Sequence, residues 1–304
     1  MAVFDLLIIG SGPAGLAAAI YAARAELNFA VIERSGISGG QILTTYEVDN
    51  YPGIPGVSGA DLSNKMREHC DKLGVSFLTE EVRTVSKSGE LFTVTTWDKN
   101  TYEARAIIAA TGASHRTLDC PGEEEFQGAG VSYCATCDGA FFKGRECAVI
   151  GGGDVAVEDA IYLSKMASKV YLIHRRDEFR ATRTLVNAAR EIGNIEFITD
   201  TVVNEIRGTD MVSSLVLQNT KTSEVHDLAV SGVFIAVGIT PANELFHSLA
   251  DTNEGGYIIA DETCATSCPG LYVAGDLRAK PLRQIITAAA DGANAVTAAL
   301  KYLK

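Results

Sequence analysis

Positive charge is scarce in this chain, and so are long apolar runs. Its 304 residues carry 26 Lys and Arg against 38 Asp and Glu, a formal net charge of −12. That balance argues against nucleic acid or an anionic membrane as the main partner, because both attract basic surfaces. No stretch reaches the roughly 20 apolar residues that a membrane-spanning helix needs. The nearest, Leu6 to Ala23, is broken by Gly10-Ser11-Gly12-Pro13. No Lys or Arg precedes it and Asp5 stands at its head, so it is not patterned as a signal peptide. A cytoplasmic protein is expected. A disulfide framework is missing too, since the seven cysteines are odd in number and irregularly spaced. Cys70, Cys120 and Cys147 read as plain buried residues, and Cys264 and Cys268 as buried structural thiols. The remaining composition, 47% hydrophobic and 21% charged, suits two soluble domains or one large one.

What the chain does contain is an internal repeat. Offset by 141 residues, Leu7 to Arg34 and Ala148 to Arg175 agree at eight of 28 positions. Each segment has an apolar run, a Gly-x-Gly-x-x-Gly/Ala loop, a helical stretch and a second apolar run. This is the β-α-β dinucleotide fingerprint, present twice. Gly10 and Gly151 allow a tight turn out of the strand. Gly12 and Gly153 leave room for a pyrophosphate beside the backbone, and Gly15 and Ala156 permit close helix packing. The helix N-terminus then offers unpaired N–H groups to the phosphates.

The two copies differ where the second strand ends. Glu33 falls eighteen residues after Gly15, where a carboxylate accepts hydrogen bonds from ribose hydroxyls. The second copy has His174 there, followed by Arg175, Arg176 and Arg180. Guanidinium groups bind a 2′-phosphate through charge-assisted hydrogen bonds, whereas an acid would repel it. The first site therefore reads as an FAD or NAD site, and the second as an NADP(H) site.

Turn punctuation supplies the remaining layout. Val82 to Asp98 and Val203 to Asp227 alternate as β-meanders. Ala106 to Ala110 and Val233 to Gly238 are strands running into Gly turns, Leu271 to Asp276 is a strand ending Ala-Gly-Asp, and Ile285 to Leu303 is an Ala-rich helix. The expected fold is α/β with two Rossmann-like dinucleotide-binding domains of the three-layer FAD/NAD(P)-binding type, the second inserted into the first. Residues 1–114 and 242–304 form one domain and residues 115–241 the other.

Between the repeats lies Cys134-Ala135-Thr136-Cys137-Asp138. A CxxC is a redox couple, half of a zinc site, or coincidence. Zinc needs four ligands, and Cys264-x-x-x-Cys268 is the other close pair. The start of a helix would lower a thiol pKa, and Asp138 stands next to Cys137, placed to exchange protons with the pair. A redox-sensing or zinc-structured nucleotide-binding protein without turnover stays open on these residues alone.

The motifs GSGPAG, SGGQI with EVDNYPG, ATGA, GVSYCATCDG, GGGDVAVEDA, HRRDEFRA, GITP, and GLYVAGD with RQIITAAADGANA occur in this order. From end to end the chain resembles the low-molecular-weight, bacterial-type thioredoxin reductases, FAD- and NADPH-dependent pyridine nucleotide-disulfide oxidoreductases. The resemblance implies FAD contacts from Gly10, Gly12, Gly15, Glu33, Arg34, Gly40, Gln41, Asn50, Asp276, Arg283 and Gln284. It implies NADPH contacts from Gly151, Gly153, Ala156, His174, Arg175, Arg176 and Arg180. It implies catalysis by Cys134, Cys137 and Asp138, with Cys137 beside the flavin, Cys134 attacking the partner disulfide and Asp138 as acid/base. A thioredoxin or thioredoxin-like partner, a homodimer, and an inserted domain rotating on hinges near 112–122 and 238–241 follow from the same resemblance. A ferredoxin-dependent flavoprotein disulfide reductase of the same fold is the near alternative; such relatives lack the dithiol or the His-Arg-Arg cluster. One position departs from the family: Ala129, in Gly128-Ala129-Gly130-Val131, stands where a basic residue associated with docking thioredoxin is usual.

Overall fold

The computed structural model describes residues 3–45, Val48 and 50–304. The chain divides into two compact units, one of Met1–Leu43, Tyr51–Ser114 and Thr240–Lys304, the other of His115–Ile239 with the short segment Thr44–Asn50. That segment, expected in the first domain, groups with the second unit. Glu47 and Asp49 of the EVDNYPG motif lie outside the described residues.

In the first unit the chain runs β1 (Val3–Ile9), α1 (Pro13–Arg24), β2 (Phe29–Glu33), a 3-10 turn (Gly40–Thr44), α2 (Gly59–Lys72), β3 (Phe77–Thr79), β4 (Val82–Ser88), β5 (Leu91–Thr96), β6 (Thr101–Ala109) and β7 (Ala113–His115). Parallel strands β3-β2-β1-β6 form the main sheet. Strand β6 divides its edge: Thr101–Ala104 pairs with the β4-β5 hairpin, and Ile107–Ala109 pairs with a later strand. The apolar runs reflect burial on both faces. Leu6 and Ile8 point toward α1 and the C-terminal helix, while Leu7 and Ile9 point toward Phe92, Val94 and Phe246.

The second unit repeats this scheme: β8 (Val131–Ser132), α3 (Ala135–Asp138), a 3-10 turn (Gly139–Phe142), β9 (Glu146–Gly151), α4 (Asp154–Ser164), β10 (Lys169–Ile173), α5 (Arg183–Arg190) and β11 (Ile195–Ile198). A meander of β12 (Thr201–Gly208), β13 (Val212–Asn219) and β14 (Val225–Ala229) follows, then β15 (Gly232–Ala236). Its sheet is parallel throughout, in the order β11-β10-β9-β15-β8. Cys147, Val149, Val170 and Leu172 face α4, while Ala148, Ile150, Tyr171 and Ile173 face Leu215 and Leu217 of the meander.

The chain then returns through β16 (Ile239–Pro241), which pairs with β7, to β17 (Leu271–Val273) and α6 (Ile285–Tyr302). Strand β17 stops at Val273, short of the expected Asp276, because Gly275 takes φ +79° and opens a 3-10 turn, Gly275–Leu277. The left-handed backbone suits glycine there, and a Cβ at this position would sit 2.9 Å from Ala14 Cβ on α1. No helix among the described residues is long and apolar enough to cross a membrane.

Candidate active site

The glycines of each nucleotide loop divide by the space around them. A Cβ on Gly10 would lie 2.4 Å from the Ala110 carbonyl oxygen, and one on Gly15 would lie 1.9 Å from that of Gly10. These two glycines pack strand, loop and helix together. Gly12 is different, with only the Gly39 carbonyl oxygen at 3.9 Å. It is also the N-cap of α1 and lacks a side-chain cap, so first-turn N–H groups remain for a ligand. The second loop behaves alike. Gly151 is closed by the Ala236 carbonyl oxygen at 2.4 Å, Ala156 is fully buried, and Gly153, the uncapped start of α4, has open space.

Glu33 ends β2 and reaches back to the loop. Its Oε2 accepts from Ser11 N–H at 2.8 Å and Ser11 Oγ at 2.7 Å, and its Oε1 accepts from Ser35 N–H at 3.2 Å. A carboxylate has about four acceptor sites, so capacity remains for a ribose hydroxyl. Gln41 Nε2 donates to Asp276 Oδ2 at 3.5 Å across 235 residues of sequence. Arg283 Nε donates to the Asp276 carbonyl oxygen at 3.4 Å, and its guanidinium lies 3.8 Å over Tyr257. Gln284 caps α6 through a reciprocal box with Thr287, which orients the residues just before it. Burial pushes the Asp276 carboxyl up, with Lys280 and Arg283 opposing the rise. Gly40 approaches Gly12, while Arg34 and Asn50 are exposed. Asn50 groups with the second unit, whereas the other residues assigned to FAD belong to the first.

A buried ion cluster holds this loop to α6. Asp291 Oδ1 accepts from Arg278 Nη1 at 2.9 Å, and its Oδ2 accepts from Lys280 Nζ at 2.8 Å and Gly275 N–H at 3.1 Å. All three charged side chains are at most 8% exposed. No motif contains Arg278 or Lys280, and Asp291 stands within RQIITAAADGANA with no role implied for it, because their relation exists only once α6 folds back beside β17.

In the second unit a cleft of about 350 Å³ is lined by Gly151, Gly152, His174, Arg175, Arg180, Arg116 and Thr201, among others. Backbone hydrogen bonds from Arg180 and Ala181 to the Gly152 carbonyl oxygen, 2.7 and 3.1 Å, tie the basic segment to the loop. Gly152 is glycine for a steric reason: a Cβ there would lie 2.2 Å from the His174 ring. Burial, aided by the three arginines, holds the His174 imidazole below its ordinary pKa, and Nε2 is buried without a partner. Arg175, Arg176 and Arg180 are exposed and form no ion pair among the described residues. An orphaned ring nitrogen beside unpaired guanidiniums fits an anionic, hydrogen-bonding ligand. Arg176, Gly153 and Ala156 do not line the cleft itself. Arg116 and Thr201 do, and no local pattern marks them.

Cys134 and Cys137 form a disulfide with Cα atoms 5.3 Å apart. The expected helix start is a single turn, with Cys134 as its N-cap, so little macrodipole is available to the thiols. The Cys134 carbonyl accepts from the N–H groups of Cys137 and Asp138, at 3.2 and 3.1 Å, closing the ring over the turn. Asp138 Oδ2 accepts from Ser132 Oγ, while Oδ1 is buried and unpartnered. Burial raises the Asp138 pKa and the Ser132 hydrogen bond opposes it. A carboxyl held above its ordinary range keeps a proton more readily, as an acid near sulfur requires.

The other thiols are inert by comparison. Burial pushes Cys70, Cys147 and Cys264 up to about 12. Cys120, expected to be buried, is half-buried and reaches about 11, where burial and Glu123 both act. Among the described residues no group of three or more His, Cys, Asp or Glu side chains is placed to hold a metal ion.

The family model for pyridine nucleotide-disulphide oxidoreductases matches residues 4–292. The chain belongs to that family. A thioredoxin reductase of Listeria innocua is 48% identical over 303 residues, covering 99% of this chain and 94% of the relative. One from Bacillus subtilis is 44% identical over 303 residues, with 99% and 95% coverage. The crystal structure of thioredoxin reductase from Streptococcus pyogenes superimposes with a TM-score of 0.95 at 46% identity, covering 99% of this chain and 98% of that one. Members of this thioredoxin reductase branch of the family use FAD and NADPH.

Proposed function

We propose that this protein is an NADPH-dependent thioredoxin-disulfide reductase that passes electrons through FAD and the Cys134–Cys137 pair to thioredoxin. The observation that carries the reading is a CxxC disulfide, flanked by a buried carboxyl, in the same unit as a nucleotide loop with an arginine-rich rim. The full-length likeness to thioredoxin reductases supports the partner, and the family resemblance supports a cytoplasmic homodimer.

In this reading Gly12, Glu33, Arg34, Gly40, Gln41, Asn50, Asp276, Arg283 and Gln284 hold FAD. Gly153, Ala156, His174, Arg175, Arg176 and Arg180 hold NADPH. The bound cofactors supply a hydride and the electron pair that opens the disulfide. The chain's own residues do the rest. The Cys134 thiolate attacks one sulfur of the partner disulfide and forms a mixed disulfide. That step breaks the partner's S–S bond and releases its other sulfur as a thiolate; the Cys137 thiolate then attacks Cys134 Sγ, re-forming the intramolecular disulfide and expelling the partner sulfur bound to it. The partner gains two electrons and two protons, one from Asp138 and one from solvent, while the cysteine pair loses two electrons.

The test is NADPH oxidation by the FAD-loaded protein with oxidised thioredoxins from the same organism. Thioredoxin-dependent turnover is expected, with NADPH bleaching the flavin. Bleaching by NADH or reduced ferredoxin but not by NADPH would overturn the donor assignment, and absence of turnover would overturn the partner.

Arg175→Ala combined with Arg176→Ala is expected to raise the NADPH KM by roughly tenfold or more, since each charge-assisted hydrogen bond contributes about 1.5–3 kcal/mol. The effect on kcat should be small. An unchanged KM removes both residues from the site.

A further inference from the structure

Ser132 ends strand β8 and is 6% exposed. Its hydroxyl accepts from the Cys134 N–H at 3.1 Å and donates to Asp138 Oδ2 at 2.5 Å. The hydroxyl has one proton, so the Cys134 carbonyl, at 3.4 Å, is the weaker claimant against a carboxylate. One oxygen of Asp138 is thereby occupied. The other, Oδ1, is buried with no partner.

We propose that Ser132 is the positioning residue of the redox pair, holding the Cys134 backbone and the Asp138 carboxyl together and leaving Oδ1 as the oxygen that exchanges the proton with sulfur. The proposal rests on the dithiol reading above and assigns a division of labour within it. A carboxyl carrying its proton on Oδ1 and accepting from Ser132 on Oδ2 is satisfied on one side and free to act on the other. Without the hydroxyl both oxygens are equivalent, the side chain can rotate, and the Cys134 N–H loses its acceptor.

The surroundings leave Ser132 as the polar group that opposes burial at Asp138. The turn Gly139–Phe142 brings no ionisable side chain, and Lys143 after it is exposed. Helix α4, which packs against this segment through Tyr162 and Leu163 under Gly139, carries Asp154, Glu158, Asp159 and Tyr162. Asp154 accepts from the Thr182 N–H, and Glu158 is exposed. Asp159 is itself pushed up to about 7 by burial, with Glu158 adding to the rise. Beyond Asp138, Cys134 and Cys137 become the ionisable neighbours when the pair is reduced.

The hydroxyl stabilises the carboxylate form, so its removal moves the proton affinity of Asp138 further up.

The experiment compares Ser132→Ala and Ser132→Thr in the full FAD-loaded chain, following thioredoxin turnover with NADPH across pH. Ser132→Ala is expected to lower turnover at neutral pH by roughly tenfold, the scale of one hydrogen bond to a charged group. The limb of the pH profile that disappears in Asp138→Asn should move to higher pH. Ser132→Thr, which keeps the hydroxyl, should restore both. Adding Ser132→Ala to Asp138→Asn should cost much less than Ser132→Ala costs in the wild type, because the proton-exchange part of its role is already gone. An unmoved limb in Ser132→Ala, or an additive loss in the double variant, overturns the proposal. Cys134→Ser separates the two levels: its inactivity beside wild-type behaviour of Ser132→Ala discards only the role of Ser132, whereas an active Cys134→Ser discards the dithiol reading itself.

Discussion

Cys134→Ser and Cys137→Ser are each expected to lower thioredoxin turnover by about 1,000-fold or more, the scale seen when one member of a concerted catalytic unit is removed. The two thiols cannot substitute for one another. The disulfide joins them over a single helical turn, and both electrons leave through it. With Cys134 replaced, no thiolate begins the exchange. With Cys137 replaced, a mixed disulfide forms and stays, because no neighbouring thiolate resolves it. Cys134 Sγ lies 3.4 Å from the Thr136 hydroxyl, a poor nucleophile. Cys70, Cys120, Cys147 and Cys264 are buried or half-buried with pKa values of about 11 to 12, and burial raises Cys268 as well. Burial disfavours the nucleophilic thiolate at each of them. Bleaching of the flavin by NADPH should persist in Cys134→Ser. The measurement is NADPH oxidation with saturating oxidised thioredoxin, together with mass spectrometry for a trapped complex in Cys137→Ser. Turnover within tenfold of wild type in either variant would remove the pair from the reaction.

Asp291→Ala is expected to destabilise the protein by about 3–5 kcal/mol, the cost of breaking a buried ion pair and leaving its partner charged. Here two cations, Arg278 and Lys280, both nearly inaccessible to water, lose their buried anion. Arg278 Nη2 keeps the Asp261 carbonyl at 2.8 Å and the exposed Glu262 carboxylate at 3.4 Å, but Nη1 and Lys280 Nζ are left without that anion, and Arg278 Nε already lacks a partner. The Gly275 N–H loses its acceptor as well, which loosens the turn that carries Asp276. FAD should therefore bind more weakly as stability falls. Urea melts with and without FAD, alongside flavin content after gel filtration, measure both effects. An unshifted midpoint with full flavin retention would show that the cluster is dispensable. Asp291→Asn should fall between, since it keeps an acceptor but leaves the cations unneutralised.

Much of the fold is legible in the sequence because its signals are local. The repeat of strand, glycine loop and helix requires Gly10, Gly15 and Gly151 wherever backbone meets backbone, and the Cβ distances bear out that crowding. The β-meanders follow from alternation, and the C-terminal helix from its small residues. A strand continued to Asp276 is too long, because a positive φ at Gly275 is a property of where the chain turns against α1. The helix expected at the CxxC shrinks to one turn for a related reason: the chain must go back down to start β9.

The chemistry of this protein is written along the chain. Two nucleotide loops, a carboxylate against arginines at the strand ends, and a CxxC followed by an acid are short-range patterns, and their spacing in sequence preserves them. How those groups are held is settled by folding alone. Ser132 lies six residues from Asp138 and Gln41 lies 235 from Asp276, and the Arg278–Asp291–Lys280 cluster needs α6 laid beside β17. Hydrogen bonds and buried charges act over a few ångströms in space, and separation along the chain does not fix that distance.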